Sequence, residues 1–126
     1  MDMVQHRVWI VEDEAIVALD LKFRLEAMGY EVAGISSYGE DAVEKIREHR
    51  PDLVMMDIVL KGEMDGITAA DIIKSEYDVP IIYLTAYSDD DTVSRAKSTE
   101  PFGYIIKPLE EHHMGILIRA CPPESQ

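Results

Sequence analysis

A single cysteine, Cys121, occurs in 126 residues, so no intrachain disulfide can form. Nothing at the N-terminus has the apolar length of a signal peptide or a membrane span, which makes a cytoplasmic protein the simplest expectation. Basic residues are scarce: 12 Lys and Arg stand against 25 Asp and Glu, a formal net charge of −13. Such a surface repels DNA, RNA and anionic headgroups within a Debye length, so neither nucleic acid nor membrane is an expected direct partner. At this length a single domain is expected. One domain of this size buries about two-thirds of the surface its unfolded chain exposes.

What the chain does have is a regular alternation. The runs Val8 to Val11, Val32 to Ile35, Leu53 to Met56, Ile81 to Leu84 and Tyr104 to Ile106 are short, apolar and often β-branched, and read as strands. Between them lie stretches of helical spacing, each with one expected core face: Ile16, Leu19, Phe23 and Leu25 in the first, Ala42, Val43 and Ile46 in the second, Ile67, Ala70 and Ile73 in the third. Gly29 reads as a C-terminal cap, and Pro51 and Pro80 stand just before strands three and four. No repeat or low-complexity segment interrupts the pattern. Five strands alternating with five helices imply an α/β protein whose parallel sheet is covered on both faces. Ligands of such sheets bind at the carboxyl ends of the strands, so the residues just past each strand are the candidates for function.

Those residues are Glu12 and Asp13 after strand one, Asp57 after strand three, Thr85 after strand four and Lys107 after strand five. Singly, each has a plain structural explanation: Asp13 and Thr85 as helix caps, Asp57 as a turn residue, Lys107 as a solvated charge before Pro108. Together they do not. Three carboxylates at one sheet edge repel one another unless a cation neutralises them, and a few oxygen ligands plus water suit Mg²⁺. The Thr85 hydroxyl and the Lys107 ammonium supply what a transferring phosphoryl group needs, which leaves Asp57 as the nucleophile.

The strings "VWIVEDE", "VMMDIVLKGEMDG", "IIYLTAY" and "FGYIIKP" span nearly the whole chain, and in this order they resemble the receiver domains of two-component response regulators. The resemblance implies a flavodoxin-like (βα)5 doubly wound fold with strand order 2-1-3-4-5 and helices on both faces. It implies that Glu12 and Asp13 form an acidic pair, that Asp57 accepts phosphate from a phosphohistidine, and that Thr85 and Lys107 bind the phosphoryl oxygens. Val59 would give its backbone carbonyl to Mg²⁺, Tyr104 would change rotamer on activation, and the Lys107–Pro108 peptide would be cis. The implied partners are a sensor histidine kinase or phosphotransfer domain, and an output domain or protein on another chain; a homodimer is a further expectation.

Other features carry less. Met28, Met55, Met56 and Met64 read as core filling or loop anchors, and His112 and His113 as solvated surface. The acidic run Ser88 to Asp91 reads as the start of the fourth helix, and the glycines of "KGEMDG" as bending points around the site. The "LEEHHMGILIRACPPESQ" end, with Gly115 in its middle and a double proline, predicts a short fifth helix. Residues 1–120 are expected to form the domain and 121–126, with Cys121, a tail without an output domain. Val59 and Tyr87, two residues past Asp57 and Thr85, offer no group that orients water, so slow self-dephosphorylation is expected. Three rival functions fit these residues less well. A haloacid-dehalogenase-type phosphohydrolase wants a second acid where Val59 stands. A flavin binder wants a phosphate loop where Glu12, Asp13 and Glu14 would repel phosphate. An unphosphorylated docking module has no need of the complete residue set.

Overall fold

The five apolar runs become five strands: β1 (Arg7–Val11), β2 (Glu31–Ser36), β3 (Leu53–Asp57), β4 (Ile81–Thr85) and β5 (Gly103–Ile106). Alternating with them are α1 (Ala15–Ala27), α2 (Gly39–His49), α3 (Gly66–Glu76), α4 (Asp90–Ser98) and α5 (Glu111–Arg119). The structure, a computed structural model, describes residues 6–86, 90–107 and 111–119, with backbone alone at 90 and 111–113. All strand pairs are parallel, in the order β2-β1-β3-β4-β5. Chain order reverses beside β1, so the loops after β1 and β3 flank one crevice.

β3 shows why its run is continuously apolar. Successive side chains point to opposite faces, and both faces are covered. Leu53 and Met55 join Leu21, Leu25, Met114 and Ile118 of α1 and α5, while Val54 and Met56 join Ile46, Ile67, Ile73 and Ala96 of α2, α3 and α4. The expected faces of α2 and α3 are the buried ones: Ala42, Val43 and Ile46, then Ile67, Ala70 and Ile73. Met55 and Met56 are core residues, as expected. Gly29 follows α1 at φ 95°, a left-handed conformation that glycine adopts without strain.

α1 departs from expectation. Its buried residues are Ala18, Leu21 and Leu25, whereas Ile16, Leu19 and Phe23 are 83%, 48% and 64% exposed. Both sets follow the spacing i, i+3, i+7, and they are offset by two positions, about 200° around a helix. The helix is therefore apolar on two opposite faces, and the one containing Ile16 looks outward. α5, described over Glu111–Arg119, carries Gly115 in its interior.

At the β1–β2 edge the register shifts between Val8 and Trp9. The Trp9 ring lies against Gly34, where any side chain would overlap it, and the indole N–H donates to Ser36 Oγ at 2.9 Å. The Ser36 carbonyl in turn accepts the Glu12 N–H at 3.0 Å, which fixes the backbone just past β1.

Candidate functional site

The first carboxylates follow from how β1 ends. Glu12 is 1% exposed and Asp57, closing β3, is 5% exposed, while Asp13 is half-buried between them and solvent. One carboxylate oxygen from each of Glu12, Asp13 and Asp57 lies within 4.8 Å of the others. Their orientation is set by backbone donors: Glu14 N–H to Glu12 Oε2 at 3.0 Å, Lys61 N–H to Asp13 Oδ2 at 2.8 Å, and Val59 N–H to Asp57 Oδ1 at 3.2 Å. The turn role of Asp57 and its place in the cluster thus coexist. Asp13 caps nothing: the residue before α1 is Glu14, which makes no side-chain cap bond.

Lys107 enters from β5. Its backbone N–H donates to the Thr85 carbonyl at 2.8 Å, which continues the β4–β5 ladder and brings the two residues to one edge. Its ammonium donates to Asp57 Oδ2 at 2.9 Å and lies 3.0 Å from Glu12 Oε1. The second contact is an ion pair without hydrogen-bond alignment, so the buried Glu12 Oε1 has no donor directed at it. Burial pushes the Glu12 carboxyl up, against the Glu14 N–H and Lys107, which favour its charged form. Burial works to lower the Lys107 ammonium, but its hydrogen bond to Asp57 and the negative charge of Asp57 and Glu12 outweigh that and raise it. One ammonium against three carboxylates leaves excess negative charge, and the oxygen-only donor set suits a hard divalent cation.

Thr85 is partly buried at the end of β4, and Tyr104 lies on the same sheet face, paired with Tyr83 in register. The Tyr83 and Tyr104 rings are 6.0 Å apart between centroids. Tyr83 is anchored through its hydroxyl to Thr99 Oγ1 at 2.7 Å, whereas the buried Tyr104 hydroxyl has no hydrogen-bond partner among the described residues. Val59 is 74% exposed, at the start of the loop. Pro108, and with it the cis peptide, together with Tyr87, Ser88, Cys121 and the side chains of His112 and His113, lies outside the described residues.

The sequence matches the response regulator receiver domain over residues 8–119. The chain belongs to the response regulator receiver family. This receiver is 44% identical over 106 residues to the transcriptional regulatory protein PdtaR of Mycobacterium tuberculosis, covering 84% of this chain and 51% of that one. It is 34% identical over 120 residues to the DNA-binding response regulator MtrA of Mycobacterium bovis, covering 95% and 52%. The chain spans about half the length of these relatives. Among solved structures, the signal receiver domain of a modulated diguanylate cyclase from Desulfovibrio desulfuricans G20 superimposes with a TM-score of 0.87 at 37% identity, covering 92% of each chain. Phosphorylation and Mg²⁺ binding are general to receiver domains. No helix among the described residues is long and apolar enough to cross a membrane.

Two contributors to the receiver's site, Lys61 and Asp65, are not among the residues the sequence pattern picks out, and a third, Gly66, is picked out only as a bending point. The Lys61 amide holds Asp13. Asp65 caps α3 through Thr68 N–H at 2.8 Å and pairs with Arg95 of α4 at 3.0 Å. Gly66 abuts the Asp57 carbonyl. The Asp65-Gly66 pair ahead of a helical stretch carried a readable N-cap signal; the other two contacts depend on a loop whose path no pattern reveals.

Proposed function

We propose that this receiver takes a phosphoryl group from a phosphohistidine onto Asp57, with Mg²⁺ held by Asp13, Asp57 and the Val59 carbonyl and with Glu12 beside them. The observation that carries this reading is the convergence of Glu12, Asp13 and Asp57 within 4.8 Å of one another, with the Lys107 ammonium against Glu12 and Asp57. An Asp57 carboxylate oxygen attacks phosphorus as the phosphorus–nitrogen bond of the donor breaks, and the bonding pair returns to the imidazole nitrogen. β3, buried on both faces, holds Asp57 still, and the Val59 amide and the Lys107 ammonium fix its two oxygens. Lys107 and the Thr85 hydroxyl then hold the phosphoryl oxygens. Bound Mg²⁺ supplies the positive charge that lets an anionic phosphoryl group approach three carboxylates.

Readout runs through Thr85 and Tyr104. A phosphoryl oxygen draws the Thr85 hydroxyl inward and vacates room that the Tyr104 ring takes up. The unpartnered Tyr104 hydroxyl supports this, since no bond has to be broken for the ring to turn. The switch biases a protein-binding surface by its differential affinity in the two states, typically about 1–3 kcal/mol. The donor is a sensor kinase or a phosphotransfer domain; the stripe of Ile16, Leu19 and Phe23 begins three residues past Asp13 and offers it an apolar seat. The surface so changed acts on an output domain, an output protein or a second copy of the chain.

Acetyl phosphate with Mg²⁺ tests the core of this reading. Intact-mass spectra are expected to show one added phosphoryl group, released by hydroxylamine, in the wild type and none in Asp57→Asn. Equal labelling of that variant would move the nucleophile elsewhere.

A further inference from the structure

We propose that Gly66 is a positioning residue of the phosphoacceptor site, an inference that rests on the reading of Asp57 as the nucleophile. Gly66 opens α3, and its N–H donates to the Ile58 carbonyl at 2.9 Å. Its φ lies outside the left-handed range, unlike Gly62 in the same loop at φ 93°, so conformation does not require glycine here. Space does. A Cβ at Gly66 would overlap the Asp57 carbonyl oxygen and lie 2.9 Å from its carbon and 3.0 Å from Ile58 Cα. Every atom met is backbone, so no side chain can swing aside.

Relief of that overlap has one place to go. α3 is held at its start by the Asp65 cap on Thr68 and by the Asp65–Arg95 pair, and its inner face is packed through Ile67, Ala70 and Ile73. The Asp57–Ile58 peptide stands at the end of β3, where the Ile58 N–H donates to the Leu84 carbonyl at 3.1 Å and the Ile58 carbonyl, in the next peptide, accepts the Gly66 N–H. A side chain at 66 therefore tilts that peptide. The Asp57 carboxylate lies on one side of it and Val59 on the other, so two of the groups assigned to the metal move apart together. Gly66 acts by letting a helix start touch the backbone that carries the acceptor.

The test is the Mg²⁺ dependence of labelling by acetyl phosphate in the wild type, Gly66→Ala, Gly39→Ala and Ile73→Val, with near-ultraviolet circular dichroism to verify folding. Gly39 also meets a backbone oxygen, that of Met64 at 3.0 Å, and Ile73 lies in the core, so both report general destabilisation. Gly66→Ala is expected to raise the Mg²⁺ concentration for half-maximal rate about tenfold or more, while Gly39→Ala and Ile73→Val leave it near the wild-type value. Wild-type Mg²⁺ dependence in folded Gly66→Ala overturns the proposal alone; a wild type that takes no label on Asp57 overturns the phosphoacceptor reading as well. Should Gly66→Ala fail to fold, amide exchange on the wild type decides. Mg²⁺ is expected to slow exchange of the Gly66 amide severalfold while leaving Gly39 unchanged, and an unaltered Gly66 amide overturns the proposal.

Discussion

Replacing Asp13 with asparagine should make the protein more stable without Mg²⁺ and less stable with it. Two unit charges 4.8 Å apart, the span of the Glu12, Asp13 and Asp57 oxygens, repel by about 3.5 kcal/mol at an effective dielectric constant of about 20. Asp13 is half-buried, so water and the Lys107 ammonium cut its share to about 1.5 kcal/mol. Asparagine keeps an acceptor for the Lys61 N–H but loses the charge assistance, a cost of about 0.5 kcal/mol. The variant should thus gain about 1 kcal/mol in chelator, a rise in Tm of about 3–5 °C for a domain of this length. At Mg²⁺ a hundredfold above its Kd the wild type gains about 2.7 kcal/mol; a variant binding about a hundredfold more weakly gains about 0.4 kcal/mol. The order then reverses by about 1 kcal/mol. Thermal melts of both proteins in chelator and across a Mg²⁺ series measure the crossing. An Asp13→Asn protein that melts below wild type in chelator, or that shows the same Mg²⁺ shift, would refute the charge reasoning.

Asp65→Ala should cost about 1 kcal/mol at neutral pH, from the lost cap on Thr68 and the partly exposed pair with Arg95. Burial alone would raise the Asp65 carboxyl, but the Thr68 N–H and Arg95 outweigh it and hold it below its ordinary value of 3.8. Its contribution is therefore full above that value and is lost as pH falls through the lowered folded value; urea midpoints at pH 7 and about pH 3 should converge, and a gap widening on acidification would contradict this. Val59, 74% exposed beside the acceptor, has no polar atom to orient water, so the phosphorylated form should last hours. Val59→Asn should shorten that lifetime about tenfold or more, as followed by intact mass, and wild-type decay complete within a minute would overturn the expectation.

The strands and the residues at their ends were legible because parallel strands bring their carboxyl ends together whatever lies between. Glu12, Asp57 and Lys107 needed only correct strand boundaries to meet. α1 was legible as a helix but not in its rotation. Ile16, Leu19 and Phe23 satisfy the same spacing as Ala18, Leu21 and Leu25, and hydropathy favours the set that the fold turns outward. Periodicity reports that a face exists and is silent on which of two faces meets the sheet. Gly66 was read as a bending point, yet its backbone is ordinary and what matters is the Asp57 carbonyl against it. A close approach between two stretches of backbone leaves no trace in composition.

Trp9 is the only tryptophan in the chain, and two hydrogen-bonded steps join it to the acidic pair. Its indole N–H ends on the Ser36 hydroxyl, and the Ser36 carbonyl receives the Glu12 amide. At 4% exposure and stacked on His49 at 5.2 Å, the ring sits in a sealed and asymmetric surrounding that sets both the colour and the yield of its emission. The molecule therefore carries its own fluorophore wired to the end of β1. A movement of the backbone at Glu12 is thus expected to register in tryptophan emission, with no label added and no residue changed.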